Sequence, residues 1–232
     1  MCFSASASFG AGIVLSAISV ATIKKVQQPS QIYFASIPII FCVQQIAEGF
    51  LWLALSNPAY APLQQITTYT FLFMAQVLWP IWVPFALLKL EKDEKRKRFQ
   101  KILVGIGGFV SIYLAFCLLS FDVEAKIIGY HIKYVQDYPA ISYYGSPVYI
   151  IATIIPIFIS SLKRMWILGT TILFSYCITI IFYEDYIISV WCFFASIISI
   201  TIFFLMSKSK DLNVKPGEAP DSYKNVILNE KI

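Results

Sequence analysis

The sequence has few charged residues and a single histidine. The first shortage argues against an ordinary soluble domain, and the second excludes metal and haem sites that need several histidines. Of its 232 residues, 13% are charged and 58% are hydrophobic. Ordinary soluble domains carry about 25% charged residues. The composition therefore indicates an integral membrane protein embedded in a lipid bilayer. One histidine cannot build a three-histidine metal site or supply two histidine ligands to a haem.

Several functional motifs are also missing. The last apolar run, residues 186–206, lacks the lysine that a retinal protein of this topology needs. No serine lies in a Gly-x-Ser-x-Gly context, and the glycines at 105, 107 and 108 lie inside a span rather than in a phosphate loop. The five cysteines show no metal-type spacing. The sequence thus identifies no cofactor and no resident metal ion.

Apolar sequence is abundant, in runs close to the roughly 20 residues that cross a bilayer. These runs predict an all-α fold, a polytopic membrane bundle of seven transmembrane helices within residues 1–207. The predicted spans are residues 3–23, 32–55, 66–88, 99–121, 147–162, 165–182 and 186–206. Only Lys163 and Arg164 separate the fifth from the sixth, and we favour two helices joined by a tight turn over one kinked element. Residues 208–232 are polar and are predicted to form a disordered cytosolic tail.

The basic residues predict an orientation for these spans. Under seven spans, 16 of the 18 lysines and arginines fall on one side, and only Lys126 and Lys133 fall on the other. Basic residues near span ends favour the cytosolic side, so the N-terminus is predicted outside and the C-terminus inside. The run 91–98 could contact acidic lipid head groups, but we favour a role in orientation. Confined to short loops, the net charge of +5 does not indicate a nucleic-acid partner.

Glu48 is the most informative residue of the chain. It is the sole charged residue of the second span and lies in the predicted outer half of that span. A charge at membrane depth costs a few kcal/mol and persists where it faces protein or water, so it marks a functional site by default. Gln44, Gln45 and Trp52 lie three or four positions away, on the same helical face. The four residues predict a polar stripe.

Other polar residues are predicted to converge on the same outer surface. Gln76 lies near the middle of the third span, and His131 lies in the longest outer loop, residues 122–146. A loop of this length is usually functional or disordered, and its five tyrosines predict a lid over the helix bundle. The chain begins at this surface, so Cys2 and Ser4 are also candidates. If the initiator methionine is removed, Cys2 presents a free amine beside a thiol.

Each candidate also has a structural explanation. Glu48 and the three glutamines can act as hydrogen-bond anchors between helices, and a file of small residues from Ser189 predicts close helix packing. His131 can be an ordinary loop residue, and Trp52 can be an interfacial or core residue. Because no lysine or arginine lies in the outer halves of the spans, we expect Glu48 to be protonated near neutral pH unless it binds a metal ion.

Four segments of the chain resemble an uncharacterised family of prokaryotic multi-pass membrane proteins: MCFSASASFGAG, IPIIFCVQQIAEGFLWL, WPIWVPFALL and SVWCFFASIIS. Members of that family begin Met-Cys-Phe-Ser-Ala and carry Gln-Gln-x-x-Glu-Gly in the second span. The resemblance covers most of the chain up to the seventh span and implies a prokaryotic cell membrane. It implies no activity. The resemblance favours a functional role, rather than a purely structural one, for six residues: Cys2, Ser4, Gln44, Gln45, Glu48 and Trp52.

Two functions follow as predictions. The first is a binding or transport protein whose outward-facing pocket accepts a small ligand, a proton or a cation. Its predicted ligand-binding residues are Glu48, Gln44, Gln45, Trp52, Gln76, His131, Cys2 and Ser4. The second is a membrane enzyme in which Glu48 is the general base and His131 or Cys2 completes the site. The shortage of catalytic residue types favours the first. The sequence defines neither the ligand nor the oligomeric state.

Overall fold

The structure is a computed structural model that describes residues 4–139, 141–183, 186–191 and 194–208. Its regular structure is mostly helical. The helices are α1 (Ala5–Ile23), α2 (Ile32–Ala35), α3 (Ile37–Ser56), α4 (Gln64–Leu72), α5 (Trp79–Leu90), α6 (Glu94–Ser120), α7 (Ile141–Ile159), α8 (Met165–Tyr183), α9 (Ile187–Trp191) and α10 (Ala195–Ser207). Two strands, β1 (Val123–Ile128) and β2 (His131–Gln136), separate α6 from α7. The predicted tail from residue 209 onward lies outside the described residues.

Six helical stretches in the described part of the chain are long and apolar enough to cross a membrane, and Pro147–Ile159 is a shorter apolar seventh. The fifth predicted span therefore ends at Ile159, earlier than the expected residue 162. Arg164 has a φ of 69°, in the left-handed region, which turns the chain sharply between α7 and α8. The membrane-spanning helical character is confirmed, whereas seven spans and their orientation stay predictions.

The third span changes from α-helix to π-helix shortly before its prolines. A π-helical segment, Phe73–Leu78, joins α4 to α5, whose second residue is Pro80. Proline has no N–H, and in a π-helix each carbonyl bonds the N–H five residues later, so the Ala75 carbonyl lacks a backbone donor at Pro80. Side chains from other helices donate to two carbonyls of this segment. The Tyr149 hydroxyl donates to the Ala75 carbonyl at 2.6 Å, and the Ser111 hydroxyl donates to the Val77 carbonyl at 2.6 Å.

Glycines let α1 lie close against α3. A β-carbon at Gly12 would come within 3.0 Å of the Ile46 side chain, and one at Gly49 within 2.8 Å of the Phe9 ring. The two contacts show that the helices run in opposite directions, since a higher residue number on α1 meets a lower one on α3. Ser8, one residue before Phe9, therefore lies at about the level of Gly49 and its neighbour in sequence, Glu48.

The segment predicted to be an irregular outer loop forms a β-hairpin instead. β1 and β2 pair antiparallel, with Ile128 opposite His131 and Val123 opposite Gln136. Gly129 has a φ of 62° and opens the two-residue turn, a conformation that glycine adopts without steric strain. Every second position of β1 is more buried than its neighbours, as expected for strands with one packed face. The all-α prediction thus missed one small sheet.

The hairpin packs on the helices through its apolar face. Ala125 and Ile132 are buried against Leu51 and Trp52 of α3. Farther along β2, the Tyr134 ring stacks on Phe71 of α4, with ring centroids 5.0 Å apart and planes 6° apart. A separate and larger apolar core joins α2, α5, α7, α8 and α10. The hairpin therefore covers the end of the bundle at which α3 ends.

Candidate functional site

Glu48 lies on α3, two helical turns before its end at Ser56, and is fully buried. The Ser189 hydroxyl of α9 donates to Glu48 Oε1 at 2.7 Å. The Gln45 amide donates to Glu48 Oε2 at 3.4 Å, a long and weaker bond. Glu48 thus faces protein rather than lipid, as predicted for a carboxyl group within an apolar helix. Its bond to Ser189 links residues 141 positions apart in the sequence.

Gln44, one helical turn before Glu48 on α3, connects that helix to α5. The Trp79 indole N–H donates to Gln44 Oε1 at 3.1 Å, and both side chains are buried. The Trp79 ring also packs on Phe41, one turn before Gln45, with centroids 4.3 Å apart. Gln44 is therefore held in place by a hydrogen bond between α3 and α5.

Three buried polar atoms near Glu48 have no hydrogen-bond partner among the described residues: Ser8 Oγ, Gln45 Oε1 and Trp52 Nε1. Trp52 is only 6% exposed, and Ser8 and Gln45 are as deeply buried. Gln45 and Trp52 lie within one helical turn of Glu48, and Ser8 faces that level from α1. A buried polar group without a partner costs roughly 1–3 kcal/mol. A hydroxyl, an amide oxygen and an indole N–H thus remain available around one carboxyl group.

Gln76 lies at the base of the hairpin, where it bonds Gln136, the last residue of β2. Its side-chain amide and that of Gln136 each donate to the other at 3.0 Å, and the Tyr138 hydroxyl donates to Gln76 Oε1 at 3.3 Å. Burial raises the pKa of the Tyr138 hydroxyl further above its ordinary value. Gln76 therefore fastens the hairpin to the π-helical segment.

His131 lies at the hairpin turn, against the helices that lead to Ser189. Its ring is 4.7 Å from that of Tyr186 and 5.4 Å from that of Tyr183, between centroids. Burial lowers the pKa of His131 below its ordinary value, which favours the neutral ring. Tyr186 precedes Ser189 by three residues. His131 is thus at the same end of the bundle as Glu48.

Of the two N-terminal candidates, Ser4 and Cys2, the structure describes only Ser4. Ser4 caps α1: its hydroxyl oxygen accepts a hydrogen bond from the Ala7 N–H at 3.2 Å and lies 3.0 Å from the Ser6 hydroxyl. That contact is an N-cap, which satisfies one of the free amides of the first turn. Cys2 lies outside the described residues. Among the residues that are described, no group of three or more histidines, cysteines or acidic residues could hold a metal ion.

Sequence reasoning missed several residues around these sites. Ser189, interpreted as a packing residue, donates to Glu48. Gln136 and Tyr138 bond Gln76, and the Ser8 hydroxyl is buried without a partner in the part of the chain that the structure describes. A polar residue inside an apolar run was the only available signal for the two serines. Nothing in the sequence indicated which helix each would meet.

Comparison with known proteins gives the chain a family. No curated protein and no solved structure matches it. Residues 1–216 match a family whose description is "Family of unknown function (DUF6629)". This match covers nearly the whole chain and confirms the resemblance to an uncharacterised family at that level. The chain belongs to this family of unknown function, DUF6629.

Proposed function

We propose that this integral membrane protein binds a proton, a small cation or another small polar ligand at Glu48, and that binding serves transport or sensing across the membrane. The observation that carries the proposal is the group of buried polar atoms around the carboxyl group that find no partner among the described residues: Ser8 Oγ, Gln45 Oε1 and Trp52 Nε1. A purely structural anchor would be expected to satisfy its neighbours, because an unpaired buried polar atom is destabilising.

The chemistry of these atoms limits the ligand. Gln45 Oε1 accepts hydrogen bonds, Trp52 Nε1 donates one, and the Ser8 hydroxyl does both. Glu48 adds a carboxyl group that can hold or release a proton. A ligand about the size of water, hydronium or a small hydrated cation, with both donor and acceptor capacity, would satisfy this set. A large or apolar ligand would not.

Access to Glu48 is the second part of the proposal. Glu48 is fully buried, so a ligand from outside could reach it only if part of the surrounding structure moved. The hairpin lies over Trp52, one turn from Glu48, and is held to the π-helical segment by Gln76 and Gln136. We propose that this hairpin, within the predicted outer loop 122–146, acts as a lid whose movement admits the ligand. The external N-terminus, the cytosolic tail and the location in a prokaryotic cell membrane belong to the same proposal.

A membrane enzyme remains the second candidate, because His131 lies at the same end of the bundle as Glu48. Its ring packs on Tyr186, and Ser189 three residues later donates to Glu48. In that case Glu48 would act as general base and His131 or Cys2 would complete the site. Loss of a chemical turnover in His131→Gln, with ligand binding retained, would favour the enzyme.

Substitution of Glu48 by glutamine tests the proposal, because it preserves shape and hydrogen bonding but removes the titrating group. Purified protein would be assayed for proton uptake and for binding of Na⁺, K⁺ and Mg²⁺, and reconstituted protein for proton and cation flux. We expect Glu48→Gln to fold and to lose the coupled proton or cation. The matched control is Glu124→Gln on the hairpin, where the same change falls on an exposed carboxylate paired with Lys126. A Glu48→Gln protein indistinguishable from wild type in every assay would end the claim.

A further inference from the structure

The structure joins two basic segments that are far apart in the sequence. Glu91 accepts hydrogen bonds from the Ser161 backbone N–H at 2.8 Å and from the Ser161 hydroxyl. The Arg96 guanidinium donates to the Ile159 carbonyl at 2.9 Å, and the Gln100 amide donates to the Pro156 carbonyl at 2.7 Å. The start of α6 is therefore fixed against the turn between α7 and α8.

This junction gathers positive charge on one surface. We define the basic face as residues 91–101 together with 161–166, which contain eight basic and three acidic residues. The acidic side chains are already engaged. Glu91 is buried and bonds Ser161, Asp93 caps α6 by accepting from the Arg96 N–H, and Glu94 pairs with Lys97 at 2.7 Å. Lys163 and Arg164, on the second segment, are exposed.

Large apolar side chains border the same face. Phe99 and Ile102 of α6 are 58% and 59% exposed, and Trp166 at the start of α8 is 62% exposed. All three belong to helices long and apolar enough to cross a membrane. Tryptophan at such a position is typical of the membrane–water interface. Cationic groups beside exposed apolar ones match an anionic lipid, whose phosphate and acyl chains are adjacent, better than a fully soluble anion.

We propose that the basic face binds the phosphate head group of an anionic phospholipid, with the acyl chains lying along Phe99, Ile102 and Trp166. The sequence alone favoured an orientation role for the run 91–98. The second segment supplies what that run lacks, because Lys163 and Arg164 approach the same phosphate from another helix pair. This binding site is separate from Glu48 and does not depend on the function proposed there.

The test measures the affinity of the detergent-solubilised, full-length protein for phosphatidylglycerol, with phosphatidylcholine of the same acyl chains as reference. Binding is followed by the shift in thermal unfolding midpoint against lipid concentration. The double variant Lys163→Gln/Arg164→Gln should bind phosphatidylglycerol on the order of tenfold more weakly, with phosphatidylcholine unchanged. The matched control is Lys24→Gln/Lys25→Gln, which removes two exposed basic residues from the end of α1, outside the basic face. It should retain wild-type affinity.

A second variant separates a built site from general charge attraction. Glu91→Ala removes a negative charge, so attraction by net charge alone predicts tighter phosphatidylglycerol binding. The proposal predicts weaker binding, since the two segments lose the bonds that align them. The proposal would be overturned if the double variant and its control lost the same affinity, or if Glu91→Ala bound phosphatidylglycerol more tightly. It would also be overturned if the protein bound inorganic phosphate or a single-stranded oligonucleotide more strongly than the lipid.

Discussion

Two buried glutamates, Glu48 in α3 and Glu91 after α5, are held in different ways. Glu91 accepts from three backbone N–H groups, those of Lys92, Asp93 and Ser161, at 2.8–3.0 Å. Glu48 accepts from side chains, the Ser189 hydroxyl and the Gln45 amide. Backbone donors cannot rotate away, whereas a hydroxyl and an amide can change partner at little cost. The comparison identifies Glu91 as a permanent connection between loops and Glu48 as a group whose contacts can be exchanged.

The two carboxyl groups also differ in the charges and polar atoms that surround them. Glu91 lies in the most basic run of the chain, beside Lys92 and Lys95. Glu48 is the sole charged residue in residues 32–56, and the buried polar atoms near it include three with no partner among the described residues. A protein gains nothing in stability by leaving such atoms unsatisfied. Their presence at Glu48 therefore favours a functional explanation there, and the dense bonding at Glu91 favours a structural one.

The largest expected effect comes from breaking the Glu91 connection. Glu91→Ala leaves three backbone donors and one hydroxyl without their acceptor, and a fully buried donor left unsatisfied costs about 1–3 kcal/mol. These four bonds are only partly buried, so water can replace part of each and the losses do not add in full. We expect a loss of roughly 3 kcal/mol in the free energy of unfolding, measured by denaturant or thermal unfolding in detergent. Glu91→Gln keeps an acceptor oxygen and should lose about a third of that.

The control for this change is Glu94→Gln, three residues further on. Glu94 is exposed and pairs with Lys97, so its substitution should leave the unfolding midpoint unchanged. Glu91→Ala as stable as wild type would mean that the loop connection seen between Glu91 and Ser161 contributes nothing to the fold.

A smaller effect is expected when Glu48 is replaced by leucine. Interhelical hydrogen bonds in membrane proteins contribute about 0.6 kcal/mol on average, with a maximum near 1.7. Glu48→Leu should therefore lower the free energy of unfolding by roughly 1–2 kcal/mol, while Glu48→Gln, which can bond Ser189 and Gln45, should change it by less than about 0.5. If Glu48→Leu cost as much as Glu91→Ala, the distinction between the two carboxyl groups would be lost.

The sequence predicted those parts of the molecule that local pattern controls. Apolar runs gave the helices, and the spacing of Gln45, Glu48 and Trp52 placed them on one face. In each case the decisive information lies within a few turns of one helix, where periodicity reports burial directly.

Long-range partners could not be predicted in the same way. Ser189 and Glu48 are 141 positions apart, and Gln76 and Gln136 are 60 apart. Periodicity states which face is buried but not which helix it meets. The hairpin was missed although β1 alternates apolar and polar residues from Val123 to Ile127, the pattern of a strand with one buried face. Gln76 was predicted as a ligand-binding residue beside Glu48, and nothing in the sequence indicated its bonds to Gln136 and Tyr138.

The smallest expected effect concerns pH and tests whether the hairpin responds independently of Glu48. Burial lowers the pKa of His131, so the folded state binds its proton less readily than the unfolded state, whose pKa is about 6.5. The stability that depends on neutral His131 is complete above that pH and is lost as the pH falls from there to the folded pKa. His131 is the chain's one histidine, which makes its contribution separable. Unfolding measured between pH 5 and pH 8 should show this slope.

His131→Phe provides the decisive comparison for that slope. Phenylalanine keeps a ring against Tyr183 and Tyr186 but cannot titrate, so the dependence between pH 5 and 7 should flatten while stability at pH 8 is retained. The slope should persist in Glu48→Gln, because the hairpin histidine and the membrane carboxyl group are different titrating groups. A slope that disappears in Glu48→Gln and remains in His131→Phe would assign the pH response to Glu48. The exchangeable contacts of Glu48 would then govern the stability of the whole bundle, and the hairpin would merely cover them.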